Sequence, residues 1–209
     1  MYDYKTREST QLSSPRLGQH VVDFEAVSNH GIVKLSDYEG KWVIFLSHPA
    51  DFSTSWASEI EKLAHSYNDL KKLNCELIGI TAKNDHSPIM WPKAVQEQFV
   101  EKIWFPVIID PHYDIARSLG VGEQEDVAAG TSRAIYIIDD HQILRSVVNY
   151  DPANPDTMDE VTRLVKLLQR TNACGIVTPD SWRPGNEWIL TEPQKERHKE
   201  NEPCEMWYF

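Results

Sequence analysis

Apolar residues along this chain fall into short blocks that alternate between two periods. Trp42-Val43-Ile44-Phe45-Leu46 is an unbroken run of aromatic and branched types, bounded by Gly40-Lys41 before it and Ser47-His48-Pro49 after it. Such a run predicts a central strand covered on both faces. Beyond it, Trp56, Ile60, Leu63, Ala64, Tyr67 and Leu70 recur at three-and-four spacing, one buried face of an amphipathic helix. Ser53, Thr54 and Ser55 each offer that helix an N-cap.

The same reading carries down the chain. Residues 21–27 and 32–35 form a hairpin-like preface around the turn Ser28-Asn29-His30-Gly31. Residues 76–82 predict a second buried strand, 89–102 a helix after the Pro88 turn, 105–110 a third strand and 115–119 a short helix. Residues 133–139 predict a fourth strand, paired with 143–149 across Asp140-His141. A last long helix spans 157–170, with Met158, Val161, Leu164, Val165 and Leu168 on one face. Strands alternating with helices place the chain in the α/β class.

Composition narrows the setting. At 209 residues and 41% apolar content the chain suits one α/β domain with an appended arm. No apolar run reaches the about eighteen residues of a membrane span, and the N-terminus carries no secretory pattern, so a soluble, cytoplasmic protein is expected. Lys+Arg 21 against Asp+Glu 32 gives a net charge of −11, which argues against nucleic acid or an anionic membrane as partner. Cys75, Cys174 and Cys204 show neither paired nor metal-ligand spacing, as fits a reducing compartment. His48 with Asp51, Asp85 and His86 has no ligand spacing either, so neither a metal nor another cofactor is expected.

A strand that runs through a polar loop into a helix N-terminus is where open α/β sheets place their chemistry. Unpaired backbone N–H groups and the helix dipole stabilise an anion there. The plainer alternative is an ordinary connection between strand and helix.

The segment Ser47-His48-Pro49-Ala50-Asp51-Phe52-Ser53-Thr54-Ser55-Trp56-Ala57-Ser58-Glu59 resembles the active-site signature of the peroxiredoxins, in particular the 1-Cys, peroxiredoxin-6-like branch with its S-H-P-x-D-F-T-P-V-C-T-T-E. Leu17, Gly18, Asp23, Phe24 and Ala26 are similar to the family's opening L-G-x-x-x-x-D-F-x-A. Residues 105–110, Thr131-Ser132-Arg133-Ala134 and Val177-Thr178-Pro179-Asp180-Ser181-Trp182 resemble its F-P-x-I-x-D, T-x-R-A and V-A-T-P-A-N-W segments. The resemblance covers residues 17–189. It implies a thioredoxin-like α/β sandwich with a C-terminal extension, the peroxiredoxin domain at 17–170 and an extension and dimerisation arm at 171–209; residues 1–16, polar, Ser/Thr-rich and without period, are expected to form a flexible leader before it.

By that resemblance the peroxidatic cysteine's position holds Trp56, and no cysteine occurs before Cys75. An indole has one N–H donor and no nucleophilic lone pair, so Trp56 cannot carry out the family's sulfur chemistry. It either fills the peroxide pocket or lines an altered one. Pro49, Ser53 and Arg133 remain around it. A second arginine common in the family falls on Asp156, which leaves the pocket less positive. Arg133 either pairs with an acidic neighbour or binds an anion. A lipase-like G-D-S-W site assigned to some relatives reads Glu39-Gly40-Lys41-Trp42 here and is not supported.

Three functions follow. In the first, the chain has lost thiol peroxidase activity and acts as a scaffold or regulatory homo-oligomer, a dimer or a ring of dimers. In the second, Ser53, His48 and Arg133 serve non-thiol chemistry on a small anionic or aromatic substrate. In the third and weakest, Cys174 or Cys204 retains a redox role. Cys75, between a helix and a buried strand, is expected in the core. The terminal Met206-Trp207-Tyr208-Phe209 is too apolar for a free tail and is expected to pack on a second protomer.

Overall fold

The computed structural model describes residues 16–48, 66–81, 104–110, 114–119, 133–150, 158–174 and 177–186. Strands Glu25–Ser28 (β1) and Gly31–Lys34 (β2) form the expected hairpin, followed by a 3-10 turn at Leu35–Tyr38. Trp42–His48 is β3, residues 66–72 are helical (α1), and Cys75–Thr81 is β4. Val107–Ile109 (β5), Asp114–Ser118 (α2), Arg133–Ile138 (β6), Leu144–Tyr150 (β7) and Met158–Cys174 (α3) complete the order.

The strands make one seven-stranded sheet in the order β2-β1-β5-β4-β3-β6-β7. β3, β4 and β5 run parallel at its centre, and the flanking strands pair antiparallel. Parallel strands must be covered on both faces, and alternation along each strand supplies two sets of apolar side chains. Val43, Phe45, Ile78, Ile80, Ile108, Tyr136 and Ile138 pack on one face with Ile115, Ala116 and Leu119 of the α2 region. Trp42, Ile44, Leu46, Cys75, Leu77, Val107, Ile135 and Ile137 pack on the other, beneath Leu70 of α1 and Met158, Val161 and Val165 of α3. The apolar face read for the last helix is thus the face it buries, with Leu164 and Leu168 half-covered at its margin.

Several element ends differ from the sequence reading. β3 continues through Ser47 and His48 because both pair with β4, although their polarity breaks the apolar run. β5 begins only at Val107, since Pro106 has no N–H to give the ladder. Of the first preface segment, 21–27, only the part from Glu25 on is strand, ending at Ser28; His20 makes an isolated bridge to Ile143. α3 runs past Arg170 to Cys174. The turn between β6 and β7 is built on Asp139, whose carboxylate accepts the His141 and Ile143 N–H groups, both at 2.9 Å.

Two local features set the spacing of the central strands. Asn74 takes a positive φ of 53° to end α1 and turn into β4, and its side-chain amide donates to the Gly40 carbonyl at 2.9 Å. Gly79 lets β5 approach, because a Cβ there would lie 3.2 Å from Val107 Cγ2. Segment 177–186 joins the body through Trp182, which is buried, and through Arg163, which donates to the Trp182 carbonyl at 2.7 Å. Among the described residues no helix is long and apolar enough to cross a membrane.

Candidate functional site

The register brings two predicted positions, His48 and Arg133, to one edge of the sheet. His48, last in β3, pairs with Thr81, last in β4, and Thr81 pairs with Ile109, last in β5. On the other side of β3, Ser47 pairs with Ala134, so Arg133 stands one step further along, next to His48; Arg133 itself pairs with Tyr150. Positions 150, 133, 48, 81 and 109 therefore form a row across five strands at the C-terminal end of the parallel strands. By strand alternation positions 48, 81 and 133 belong to the face of Ile44, Leu77 and Ile135, which α1 and α3 cover. Ligand sites of open α/β sheets lie at this end.

The other predicted residues stand differently. Pro49, Ser53, Trp56 and Cys204 lie outside the described residues. Cys174 closes α3. That helix crosses the sheet toward its other end, since Gln169 reaches the Leu73 carbonyl at 2.6 Å, just ahead of β4. Position 174, further along, is carried away from the row.

Cys75 is also at the far end. It pairs with Trp42, six residues before the His48–Thr81 step, about 20 Å away at the rise of a strand. It is 1% exposed, its Sγ donates to the Leu73 carbonyl at 3.4 Å, and burial, with the Glu76 charge adding to it, pushes the thiol up to about 12. Such a thiol is a core residue, as the sequence predicted, and not a nucleophile.

Thr81 is the residue of the row that sequence reasoning missed. It is buried, and its Oγ1 has no hydrogen-bond partner. The signal was present as a lone hydroxyl ending the strand Cys75–Thr81 at the C-terminal end of the parallel strands. Its backbone is fixed on both sides, by the β3 ladder and by the Asp110 N–H, which donates to its carbonyl at 2.9 Å. The Asp110 carboxylate belongs to the opposite face, where it accepts the Asp114 and Ala116 N–H groups at 3.0 and 2.9 Å and caps α2. Burial raises that carboxyl above its ordinary value, against the pull of these backbone donors.

Asp139, Asp140 and His141 cluster tightly enough for a cation, but at the β6–β7 turn, far from the row. One Asp139 oxygen is committed to the turn and the other lies 3.7 Å from Arg145.

A mixed sheet with a parallel centre, layered between helices, defines a thioredoxin-like α/β protein. Residues 17–147 match the AhpC/TSA family, and the chain belongs to that family. It is 40% identical to "Peroxiredoxin 2" of Picrophilus torridus over 85% of this chain and 87% of that one. It is 34% identical to "Peroxiredoxin" of Aquifex aeolicus over 95% and 96%. Among solved structures it is similar to a yeast mitochondrial 1-Cys peroxiredoxin, with TM-score 0.72 and 26% identity over 84% of this chain and 86% of that one. Peroxiredoxin 6 of Arenicola marina, as a cysteine-to-serine variant, gives TM-score 0.72 and 26% identity over 85% and 84%.

Proposed function

We propose that this chain is an AhpC/TSA-family protein without thiol peroxidase chemistry, whose scaffold serves an interaction or regulatory role as a homo-oligomer. The observation that carries this is the placement of its thiols. Nothing before Cys75 is a cysteine, and Cys75 is buried, protonated and about 20 Å from the edge where the family's chemistry would sit. Trp56, at the position matching the family's peroxidatic cysteine, offers an indole in place of a thiolate, and Asp156 replaces a second arginine. The extension at 171–209 is read as the arm that joins protomers. The test is peroxide consumption by the full chain with a thiol reductant. No excess over a denatured control is expected; turnover that vanishes in Cys174→Ser or Cys204→Ser would replace this reading with a redox role for that thiol.

A second reading keeps the edge as a site for non-thiol chemistry by Ser53, His48 and Arg133 on a small anionic or aromatic substrate. The unpaired Thr81 hydroxyl in the row of His48 and Arg133 favours it.

A further inference from the structure

A hydroxyl buried without a partner loses its hydrogen bonds to water and regains none, so proteins rarely leave one in place. Thr81 Oγ1 is such a group, on a residue 8% exposed. It is not on a loop that could turn to water: it ends the middle one of three parallel strands, with paired neighbours on either side. The uncompensated atom is thus held in place by the ladder.

Its surroundings in the sheet give the missing partner a character. Position 133, an arginine, stands in the same row and on the same face, two strands away, about 10 Å at the usual strand spacing. A hydroxyl can donate to an oxygen acceptor, and an arginine brings the positive charge that favours an anionic one.

We propose that the Thr81 hydroxyl is a contact for a small oxyanion bound at the C-terminal edge of β4, in the row shared with His48 and Arg133. This contact rests on the second reading above, that the edge still takes a small ligand, and is independent of whether the chain reduces peroxide. Thr81 there orients the ligand by donating its O–H proton in a hydrogen bond, with no covalent step.

The test uses the full chain with threonine methyls carbon-13 labelled, in a buffer without oxyanions, titrated with acetate and with inorganic phosphate. A saturable shift of the Thr81 methyl is expected with at least one probe. Thr81→Val, which keeps the shape and removes the hydroxyl, should weaken that probe by about tenfold, while Thr81→Ser should hold it near the parent value. Calorimetry runs alongside. Binding heat without a Thr81 methyl shift, or equal affinity in Thr81→Val, overturns the Thr81 contact and leaves the edge as a site. Neither heat nor shift with either probe at millimolar concentration overturns both.

Discussion

Cys75 pairs in register with Trp42, while Thr81, at the other end of the same strand, pairs with His48. One strand thus separates a sealed thiol from the sheet edge that carries His48 and Arg133. In the native chain, alkylating reagents near neutral pH should leave Cys75 unmodified, with labelling appearing only in denaturant. The sign of its pH dependence follows. A thiol raised from 9.0 to about 12 on folding contributes stability in full below pH 9.0, lost as pH rises toward the folded value. Tyr136, also raised by burial, adds to the loss. Cys75→Ala should cost about 1 kcal/mol near neutral pH through lost packing, yet lose stability less steeply than the parent above pH 9.0. Denaturant unfolding followed against pH distinguishes the two slopes.

On the proposed reading, Trp56→Cys would supply a sulfur at the position of the family's peroxidatic cysteine but not the rest of the chemistry. The same reading puts Asp156 where a second arginine is common in the family, so the new thiol would lack part of the positive field that lowers its pKa. Peroxide consumption should stay close to background. Pairing Trp56→Cys with Asp156→Arg should exceed the single variant, as a coupled peroxidase assay would report; equal rates would remove Asp156 from the explanation.

Glu76 is held between two lysines, with Lys71 Nζ at 2.7 Å and Lys41 Nζ at 3.0 Å. Burial alone would raise its carboxyl, but the hydrogen bonds and charges of these lysines outweigh it and hold it below its ordinary value. A carboxyl lowered on folding stabilises above its unfolded pKa, and the gain is lost as pH falls through the folded value. Both lysines are nearly half exposed, so Glu76→Gln should cost only about 1 kcal/mol near neutral pH. Parent and variant should converge as pH falls through the lowered carboxyl's own titration. A difference that persists in acid would point to lost packing as the cause.

How far the sequence exposes this molecule depends on what each residue's neighbours are. β3 and β4 were legible because strands buried on both faces keep an apolar run whatever their partners. The face of α3 was legible because Val161 and Val165 repeat at helical spacing. The order of strands was not, because β1 lies beside β5 through a single pair, Ser28 with Ile108, and no local pattern encodes that meeting. The row at the sheet edge was half legible. His48 and Arg133 came from the family resemblance, whereas Thr81 enters it only through register with His48, a relation between residues far apart in the chain. The end of β3 is hidden for the same reason: Ser47 and His48 are strand by virtue of their partners.

Gln169 ties α3 to the turn before β4 and offers a sharper stability test. Its Nε2 donates to the Leu73 carbonyl at 2.6 Å, while its Oε1 is buried without a partner. Gln169→Ala opens a cavity and leaves that carbonyl only the weak Cys75 thiol, 3.4 Å away, so a loss of about 2–4 kcal/mol is expected. Gln169→Leu also breaks the bond but fills the space and removes the unpaired oxygen, and should cost less than about 1 kcal/mol. Chemical denaturation orders the two variants; a leucine variant as damaged as the alanine one would show that the lost hydrogen bond outweighs the cavity.

Assembly tests the scaffold reading directly, and the terminal residues are the place to test it. Met206, Trp207, Tyr208 and Phe209 follow the charged stretch at 195–202, and burying two or three such rings contributes several kcal/mol at ~25 cal/mol per Å². Across a two-fold axis each arm would gain that amount from its neighbour, so that two copies of one contact hold the pair. The described core, with its sheet, α3 and the Trp182 anchor, includes none of these residues. Deleting 203–209 should therefore leave the melting of the core domain cooperative while weakening the oligomer by at least about tenfold in dissociation constant. Light scattering across a micromolar concentration series separates the outcomes. A monomeric parent, or a truncated chain that associates as tightly as the parent, would show that the aromatic terminus does not join protomers.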